Sequence, residues 1–222
     1  MARRTKEEAL ATRHHLLNAA ESVFSDKGVS RTSLEDIAHA AGVSRGAVYW
    51  HFKNKADLFN AIMERITLPM EDALYQIGSD RKLDPLDELR CSILDAMLKI
   101  SSDERTHRVF EILTLKVEYI DELLPVKIRQ IKNHADVLLQ MQRCLMDACT
   151  RRGQKLPIPL SVASQGLQSL VVGLIDSWLL ESEAFNLVNT ADLVIRTYFA
   201  GLGLALDPAS PRLRAELSLS IQ

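Results

Sequence analysis

The sequence is poor in glycine, proline and cysteine for its length of 222 residues. Nine glycines and seven prolines are too few for an all-β protein with many turns, so they favour long helices. Three cysteines form neither a disulfide framework nor a metal-binding spacing, and they suit a reducing cytoplasm. With 47% hydrophobic and 25% charged residues, the chain has the composition of a globular protein of one or two domains.

Long hydrophobic runs and targeting segments are also lacking. The longest apolar stretch, residues 167–180, contains polar residues and falls short of the about 20 residues of a membrane span. The N-terminus has no apolar segment of the secretory type, so we expect a cytoplasmic protein with no membrane partner.

Enzyme motifs are missing from the sequence as well. It contains no nucleophile elbow, phosphate-binding loop, dinucleotide fingerprint or zinc-protease motif, and the adjacent His14 and His15 point apart on a helix. We therefore predict a protein that is not an enzyme and that uses no cofactor or metal. An enzyme built on an all-helical scaffold remains an alternative.

Charge is distributed unevenly along the chain. Residues 1–60 carry nine Lys and Arg against seven Asp and Glu, whereas the rest of the chain is acidic and the formal net charge is -2. A basic head joined to an acidic body is compatible with DNA binding through one face.

Short helical patterns with their own start and stop signals fill the first 66 residues. Candidate N-cap side chains precede the patterns, and glycines suited to a left-handed C-terminal position follow the first two. The N-cap candidates are Thr5, Thr32 with Ser33, Ser44 and Asn54, and the glycines are Gly28 and Gly42. The stretch Thr32–Glu35 has the form of a capping box. The tight connection 42–44 joins two helices, which is typical of a helix-turn-helix motif.

Longer helical patterns occupy the rest of the chain, at about residues 85–101, 103–118, 121–151, 160–181 and 190–205. Pro69 lies inside the fourth pattern and should kink or break that helix. The sequence thus predicts an all-α protein of about nine helices, with an N-terminal three-helix helix-turn-helix domain and a larger C-terminal helical domain. The patterns at 160–181 and 190–205 are apolar on more than one side, which indicates a partner subunit, an internal cavity or a central position in the core.

The segment 44–55 separates two sets of side chains by helical spacing. Val48 and Phe52 continue the apolar face, while Arg45 and Tyr49 share the opposite face. Gly46 would let the backbone approach a large partner closely. A guanidinium that can read guanine, a phenol and an imidazole that can bond phosphates, and a lysine at a helix N-terminus together favour DNA.

Each of these residues also has a purely structural interpretation. Tyr49 could be a half-buried surface aromatic, His51 a C-terminal helix residue favoured by the helix dipole, and Lys55 a solvated cation. We expect Trp50 to pack against the first helix rather than to contact DNA.

The stretches Ile37–Ala38, Ala41–Ser44 and Tyr49–Lys55, with Gly46, resemble the DNA-binding domain of the TetR family of bacterial repressors. The likeness covers about the first 65 residues, which is far more than a short motif. The opening residues and the stretch Arg45–Phe52 resemble more narrowly the branch that represses multidrug-efflux operons.

The resemblance implies that the third helix lies in the major groove, with Arg45 reading bases and the neighbouring residues contacting the backbone. The predicted DNA-binding residues are Arg3, Arg4, Thr32, Ser33, Ser44, Arg45, Gly46, Tyr49, His51 and Lys55. It also implies a DNA-binding domain over residues 1–55, a ligand-binding and dimerisation domain over residues 56–210, and a C-terminal tail over residues 211–222.

The resemblance further implies a homodimer formed through the helices near 160–181 and 190–205, and a cavity that accepts small hydrophobic ligands. The matching positions are Ile66, Thr67, Met70, Ile93, Ala96, Met97, Phe110, Leu113, Thr114, Val137, Met141, Gln168, Val172 and Asp176. Apolar residues at helical spacing are also typical of an ordinary core, so that interpretation stays open for each of them.

The predicted function is a ligand-responsive repressor that binds a palindromic operator as a dimer and controls a multidrug efflux operon. A ligand-independent or architectural DNA-binding regulator is the alternative. Salt titration against operator and random DNA distinguishes these two and the enzyme alternative, because an enzyme shows neither affinity nor salt dependence, while an architectural protein shows salt dependence without sequence preference.

Overall fold

The structure is a computed structural model that describes residues 6–77, 83–119 and 121–206. Arg3, Arg4 and the predicted tail at 211–222 lie outside the described residues. Nine α-helices and no strand occur in the described ranges, which confirms the predicted all-α class. The helices are α1 Lys6–Lys27, α2 Leu34–Ala40, α3 Arg45–His51, α4 Lys55–Tyr75, α5 Pro85–Ser102, α6 Glu104–Leu115, α7 Leu124–Arg152, α8 Leu160–Leu180 and α9 Leu187–Gly201, with a 3-10 turn at Asp121–Leu123 before α7.

The predicted helix ends are confirmed where the local signal is a cap or a glycine. Ser44 accepts a hydrogen bond from the Ala47 amide at 3.2 Å, and Asn54 accepts one from the Asp57 amide at 2.8 Å. Gly28 and Gly42 have φ values of 79° and 62°, a left-handed conformation that side chains with a β-carbon rarely adopt.

One local expectation was wrong. The capping box of α2 is formed by Ser33 and Asp36, one residue later than predicted, because the Thr32 hydroxyl donates instead to the Gly28 carbonyl at 2.8 Å. Hydrogen bonds from Ser33 hold the pKa of Asp36 well below its ordinary value. At Pro69 a kink or a break was expected, and the break does not occur, because α4 continues to Tyr75.

The chain divides into two compact units. The first contains residues up to Leu68 together with Asp103–Lys132, and the second contains Pro69–Ser102 and the residues from Asn133 onward. The domain boundary that the sequence predicts at residue 55 is a division by function, and it stays a prediction.

The first unit has a core between α1, α2, α3 and the start of α4. Phe24 and Phe59 meet edge to face with ring centroids 5.6 Å apart, and both side chains are fully buried. Glu21 of α1 is also buried, and Arg105 of α6 donates hydrogen bonds to its carboxylate at 2.7, 3.0 and 3.2 Å. This ion pair fixes α6 against α1.

The second unit packs α9 against α5 and α8. The buried face of α9 carries an apolar residue at every fourth position, Leu187, Ala191, Ile195 and Phe199. Arg90 of α5 is fully buried, and its guanidinium donates to Asp192 of α9 at 2.5 Å. In the described ranges, no helix has the length and apolar character that crossing a membrane requires.

Candidate nucleic-acid interface

Helix α3 is anchored by one face and exposes the other. Val48 and Phe52 are 0% and 1% exposed, which holds the helix on the core of the first unit. Tyr49 is 47% exposed and Trp50 is 71% exposed. Ser44 caps α3, so the N-terminal end of this helix is held in place as well. A short rigid helix with exposed polar and aromatic side chains is suited to lie against DNA.

Arg45 and Tyr49 lie together on the exposed side of α3, as the sequence predicts. The Arg45 guanidinium carbon is 5.4 Å from the centre of the Tyr49 ring, and one guanidinium nitrogen is 3.8 Å from the Glu35 carboxylate. Interaction with Tyr49, and then with Glu35, raises the pKa of Arg45. The side chain is therefore a permanent cation that lies beside Tyr49 and Glu35 and is 61% exposed, so it remains accessible to a nucleic acid.

A polar cleft of about 420 Å³ opens beside this pair. It lies within the first unit, between the loop that precedes α2 and the start of α4. Its lining combines four cationic side chains with hydroxyl groups and two carboxylates, and a basic cleft of this kind attracts phosphate. The lining residues are Ser30, Arg31, Thr32, Ser33, Leu34, Glu35, Arg45, Tyr49, Lys53, Asn54, Lys55 and Glu122. Arg31 and Lys53 were not among the predicted site residues.

Lys55, which the sequence predicts as a phosphate contact, is buried, so the alternative of a solvated cation was wrong. Its side chain is 5% exposed, and its ammonium donates to the carbonyls of Ser30 at 3.1 Å and Thr32 at 2.9 Å. A carboxylate oxygen of Glu122 lies 3.1 Å away. The α1–α2 loop thus wraps around this lysine, which a sequence pattern does not reveal.

Three other predicted DNA contacts, Thr32, Ser33 and Gly46, differ in their exposure to solvent. Thr32 is 2% exposed and contributes to the cleft mainly as structure, whereas Ser33 is exposed at the N-terminus of α2. Gly46 is exposed on α3, and a β-carbon there would meet only the Ser44 hydroxyl, at 3.9 Å. The structure therefore leaves room above Gly46 for a bulky partner.

The expectation that Trp50 packs against the first helix was wrong. Trp50 is one of the most exposed apolar residues described, and its ring meets the half-buried His51 edge to face at 4.5 Å. Helical geometry contained the signal, because Trp50 lies two residues after buried Val48 and therefore about 200° around the helix. Trp50 is thus a further candidate for DNA contact.

The predicted ligand-binding residues are divided between the two units, and most are buried or half-buried in their own unit. In the first unit, Ile66 is buried, Thr67, Phe110 and Leu113 are half-buried, and Thr114 is exposed. In the second unit, Ile93, Met97, Met141 and Gln168 are buried, Met70, Ala96, Val137 and Asp176 are half-buried, and Val172 is 44% exposed. Thr114 and Val172 are therefore less suited to line a cavity than the others.

One of these residues lines a described cleft of the second unit. Val137 borders a narrow space of about 10 Å³, which is room for about one water molecule and not for a drug. Nearby, the side chain of Gln168 donates to the His134 carbonyl at 3.1 Å, which orients its amide between α7 and α8. In the described ranges, no three His, Cys, Asp or Glu side chains form a group that could hold a metal ion.

Comparison with known proteins gives matches along most of the chain. The family of bacterial regulatory proteins of the tetR type matches residues 16–62, and the C-terminal region of MAATS-type transcriptional repressors matches residues 84–203. The chain is 38% identical over 216 residues to the probable HTH-type transcriptional regulator ArpR of Pseudomonas putida, which covers 96% of this chain and 100% of that protein.

Solved structures show the same relationship. NalD, the secondary repressor of the MexAB-OprM multidrug efflux pump in Pseudomonas aeruginosa, matches with a TM-score of 0.80 and 36% identity over 89% of this chain and 98% of that chain. A complex of SmeT, the Stenotrophomonas maltophilia SmeDEF pump repressor, with triclosan matches with a TM-score of 0.78 and 32% identity over 90% of this chain and 97% of that chain. With its helix-turn-helix, its exposed α3 and these matches, the chain belongs to the TetR family of bacterial regulatory proteins and is a DNA-binding transcriptional repressor.

Proposed function

We propose that this protein represses a multidrug efflux pump operon in the bacterial cytoplasm and that a hydrophobic drug-like ligand releases it from its operator. The observation that carries the proposal is the exposed face of α3, where Arg45, Tyr49 and Trp50 stand out from a helix anchored by buried Val48 and Phe52. Relatives of the same family repress efflux pumps, and one was solved with triclosan.

We assign residues 1–55 to operator binding. Arg45 reads a base edge in the major groove, and Tyr49 and His51 contact the backbone or a thymine methyl. Gly46 lets the helix approach closely, while Ser33 and Ser44 present helix N-termini to phosphates. Arg3 and Arg4 supply further positive charge ahead of α1.

We assign dimerisation to α8 and α9 within residues 56–210. Four large apolar side chains on these helices are exposed in the single chain, namely Val162, Val172, Leu180 and Leu193. Leu180 and Leu193 are 73% and 67% exposed, which is unfavourable in water and is relieved when a second subunit covers them. A two-fold dimer would bring two copies of α3 to successive major grooves about 34 Å apart, so the operator is palindromic.

We assign ligand recognition to the predicted ligand-binding residues within residues 56–210. Met70, Met97 and Met141 suit a site that accepts different shapes, because thioether side chains repack easily. Ligand binding that changes the separation of the two α3 helices needs a coupling free energy of only about 1–3 kcal/mol to weaken operator binding roughly 5–150-fold.

Footprinting upstream of the neighbouring genes, with and without triclosan, tests this function. We expect protection of one palindrome and loss of that protection when the drug is added. Fluorescence anisotropy against the palindrome and a scrambled duplex at several salt concentrations then measures specificity. Equal affinity for both duplexes would favour the architectural alternative, and protection that no drug removes would favour a ligand-independent regulator.

Phe110→Ala is expected to change the response to the ligand without changing operator affinity. Phe110 is a half-buried aromatic of α6, and its removal takes away contact area from a site that binds by apolar burial. The measurement is the triclosan concentration that releases half of the operator, which should rise at least about fivefold. Leu115→Ala, at an exposed position of the same helix, is the control. An identical release curve for Phe110→Ala would remove Phe110 from the ligand site.

A further inference from the structure

We propose that Glu122 competes with the DNA backbone for the Lys55 ammonium and so limits operator affinity. The inference rests on the proposed operator binding, and it assigns a role to a residue that neither the α3 face nor the ligand site uses. The observations behind it all lie within the first unit.

The geometry around Lys55 leaves one position that a phosphate can take. An ammonium donates three hydrogen bonds. Two of them are used by the carbonyls of Ser30 and Thr32, at 3.1 and 2.9 Å. The third direction is occupied by the Glu122 carboxylate at 3.1 Å. These two carbonyls belong to the folded backbone, so Glu122 is the partner that an incoming anion can replace.

The Glu122 carboxylate occupies the position beside the Lys55 ammonium that a phosphate oxygen would take. Lys55 and Glu122 both line the polar cleft beside Arg45 and Tyr49, together with Arg31 and Lys53. The Lys55 side chain is 5% exposed, whereas that of Glu122 is 49% exposed. The half-exposed Glu122 carboxylate can be hydrated when it moves away, and a phosphate oxygen that takes its place leaves the buried Lys55 ammonium with three acceptors throughout.

Lys116, six residues before Glu122, contacts the end of α1 and the α1–α2 loop. The Val29 amide donates to the Lys116 carbonyl at 3.2 Å, and the Lys116 ammonium donates to the Ser25 carbonyl at 2.8 Å. Glu122 itself lies in the 3-10 turn Asp121–Leu123, between α6 and α7. A carboxylate placed by this turn is held within reach of Lys55 rather than free on the surface.

Replacing Glu122 should therefore strengthen operator binding. For Glu122→Gln we expect about fivefold tighter binding at each half-site, since the phosphate no longer has to displace a charged partner. The measurement is fluorescence anisotropy of the full-length protein with the footprinted palindrome at fixed salt. Asp121→Asn is the matched control, because it removes the same charge from the adjacent exposed position of the same turn. It should change affinity less than about twofold, since exposed charges are screened.

A second pair of variants connects the effect to Lys55. In a Lys55→Met background, Glu122→Gln should no longer improve binding, and circular dichroism checks that each variant is folded. Equal affinities of Glu122→Gln and Asp121→Asn would overturn the inference, as would weaker binding by Glu122→Gln, the result that a purely structural ion pair predicts. If Lys55→Met does not fold, the comparison of Glu122→Gln with Asp121→Asn decides alone. A wild-type protein that prefers no palindrome would instead refute the proposed function.

Discussion

Asp192→Ala is expected to lower the free energy of unfolding by about 3 kcal/mol, because it takes from a buried guanidinium one of its two carboxylate acceptors. Arg90 is 0% exposed, and it donates to Asp192 at 2.5 Å and to Asp87 at 2.7 and 3.1 Å. Burial opposes the charge of this arginine, but the hydrogen bonds to Asp87 and Asp192 outweigh that effect and raise its pKa. Removing Asp192 leaves the charge in place and its desolvation cost offset by Asp87 alone.

Two further variants make the measurement specific. Asp147→Ala breaks the ion pair with Arg151, whose partners are 43% and 31% exposed, and should cost at most about 0.5 kcal/mol. Arg90→Met should cost less than Asp192→Ala, because it removes the buried charge while Asp192 keeps its two 3.0 Å contacts with Arg196. Denaturant unfolding at one protein concentration measures all three variants. A loss for Asp192→Ala no larger than that for Asp147→Ala would contradict the expectation.

Arg45→Ala is expected to remove about 1–3 kcal/mol of discrimination between operator and scrambled DNA at each half-site. Arg45 stands on the exposed side of α3, where its guanidinium can form two parallel hydrogen bonds with a guanine edge. The substitution removes no core contact, so circular dichroism should show an unchanged helix content and melting temperature. Competition binding at constant salt measures the ratio of the two affinities.

Lys53→Ala is the matched control for base reading. Lys53 lines the same cleft and carries the same charge as Arg45, but a lysine there contacts phosphate as a point charge. Its loss should weaken binding to both duplexes equally and reduce the salt dependence by about one unit per half-site. If Arg45→Ala also weakens both duplexes equally, Arg45 is a phosphate contact and the base reader must be sought among Tyr49 and Trp50.

Local chemistry decided the parts of the fold that sequence patterns predicted well. The starts of α2, α3 and α4 follow side-chain caps, and the ends of α1 and α2 follow left-handed glycines, which all act within about four residues of chain. The shift of the α2 capping box by one residue has a tertiary cause, because the Thr32 hydroxyl is recruited by Gly28. Pro69 is tolerated inside α4, although its local preference is to end a helix.

The candidate DNA-binding site also contains residues that local spacing predicted and residues that only tertiary contacts revealed. The residues on one side of α3 follow from helical spacing, so Arg45 and Tyr49 were placed together correctly and Trp50 could have been assigned by the same geometry. Glu122 is 67 residues from Lys55 in the sequence, and no local pattern connects the two. The Glu21–Arg105 pair, with a separation of 84 residues, was equally out of reach.

By itself, the sequence determined the helical class, the helix-turn-helix, the exposed face of α3 and membership of the TetR family, because these depend on residue type and on spacing within a few helical turns. Only the tertiary structure decided that Lys55 is wrapped by a loop and paired with Glu122, that Arg90 is a buried cation between two aspartates, and that apolar side chains of α8 and α9 remain uncovered in the single chain. The physical reason is that burial and ion pairing depend on which distant segments meet, and helical periodicity carries no information about that.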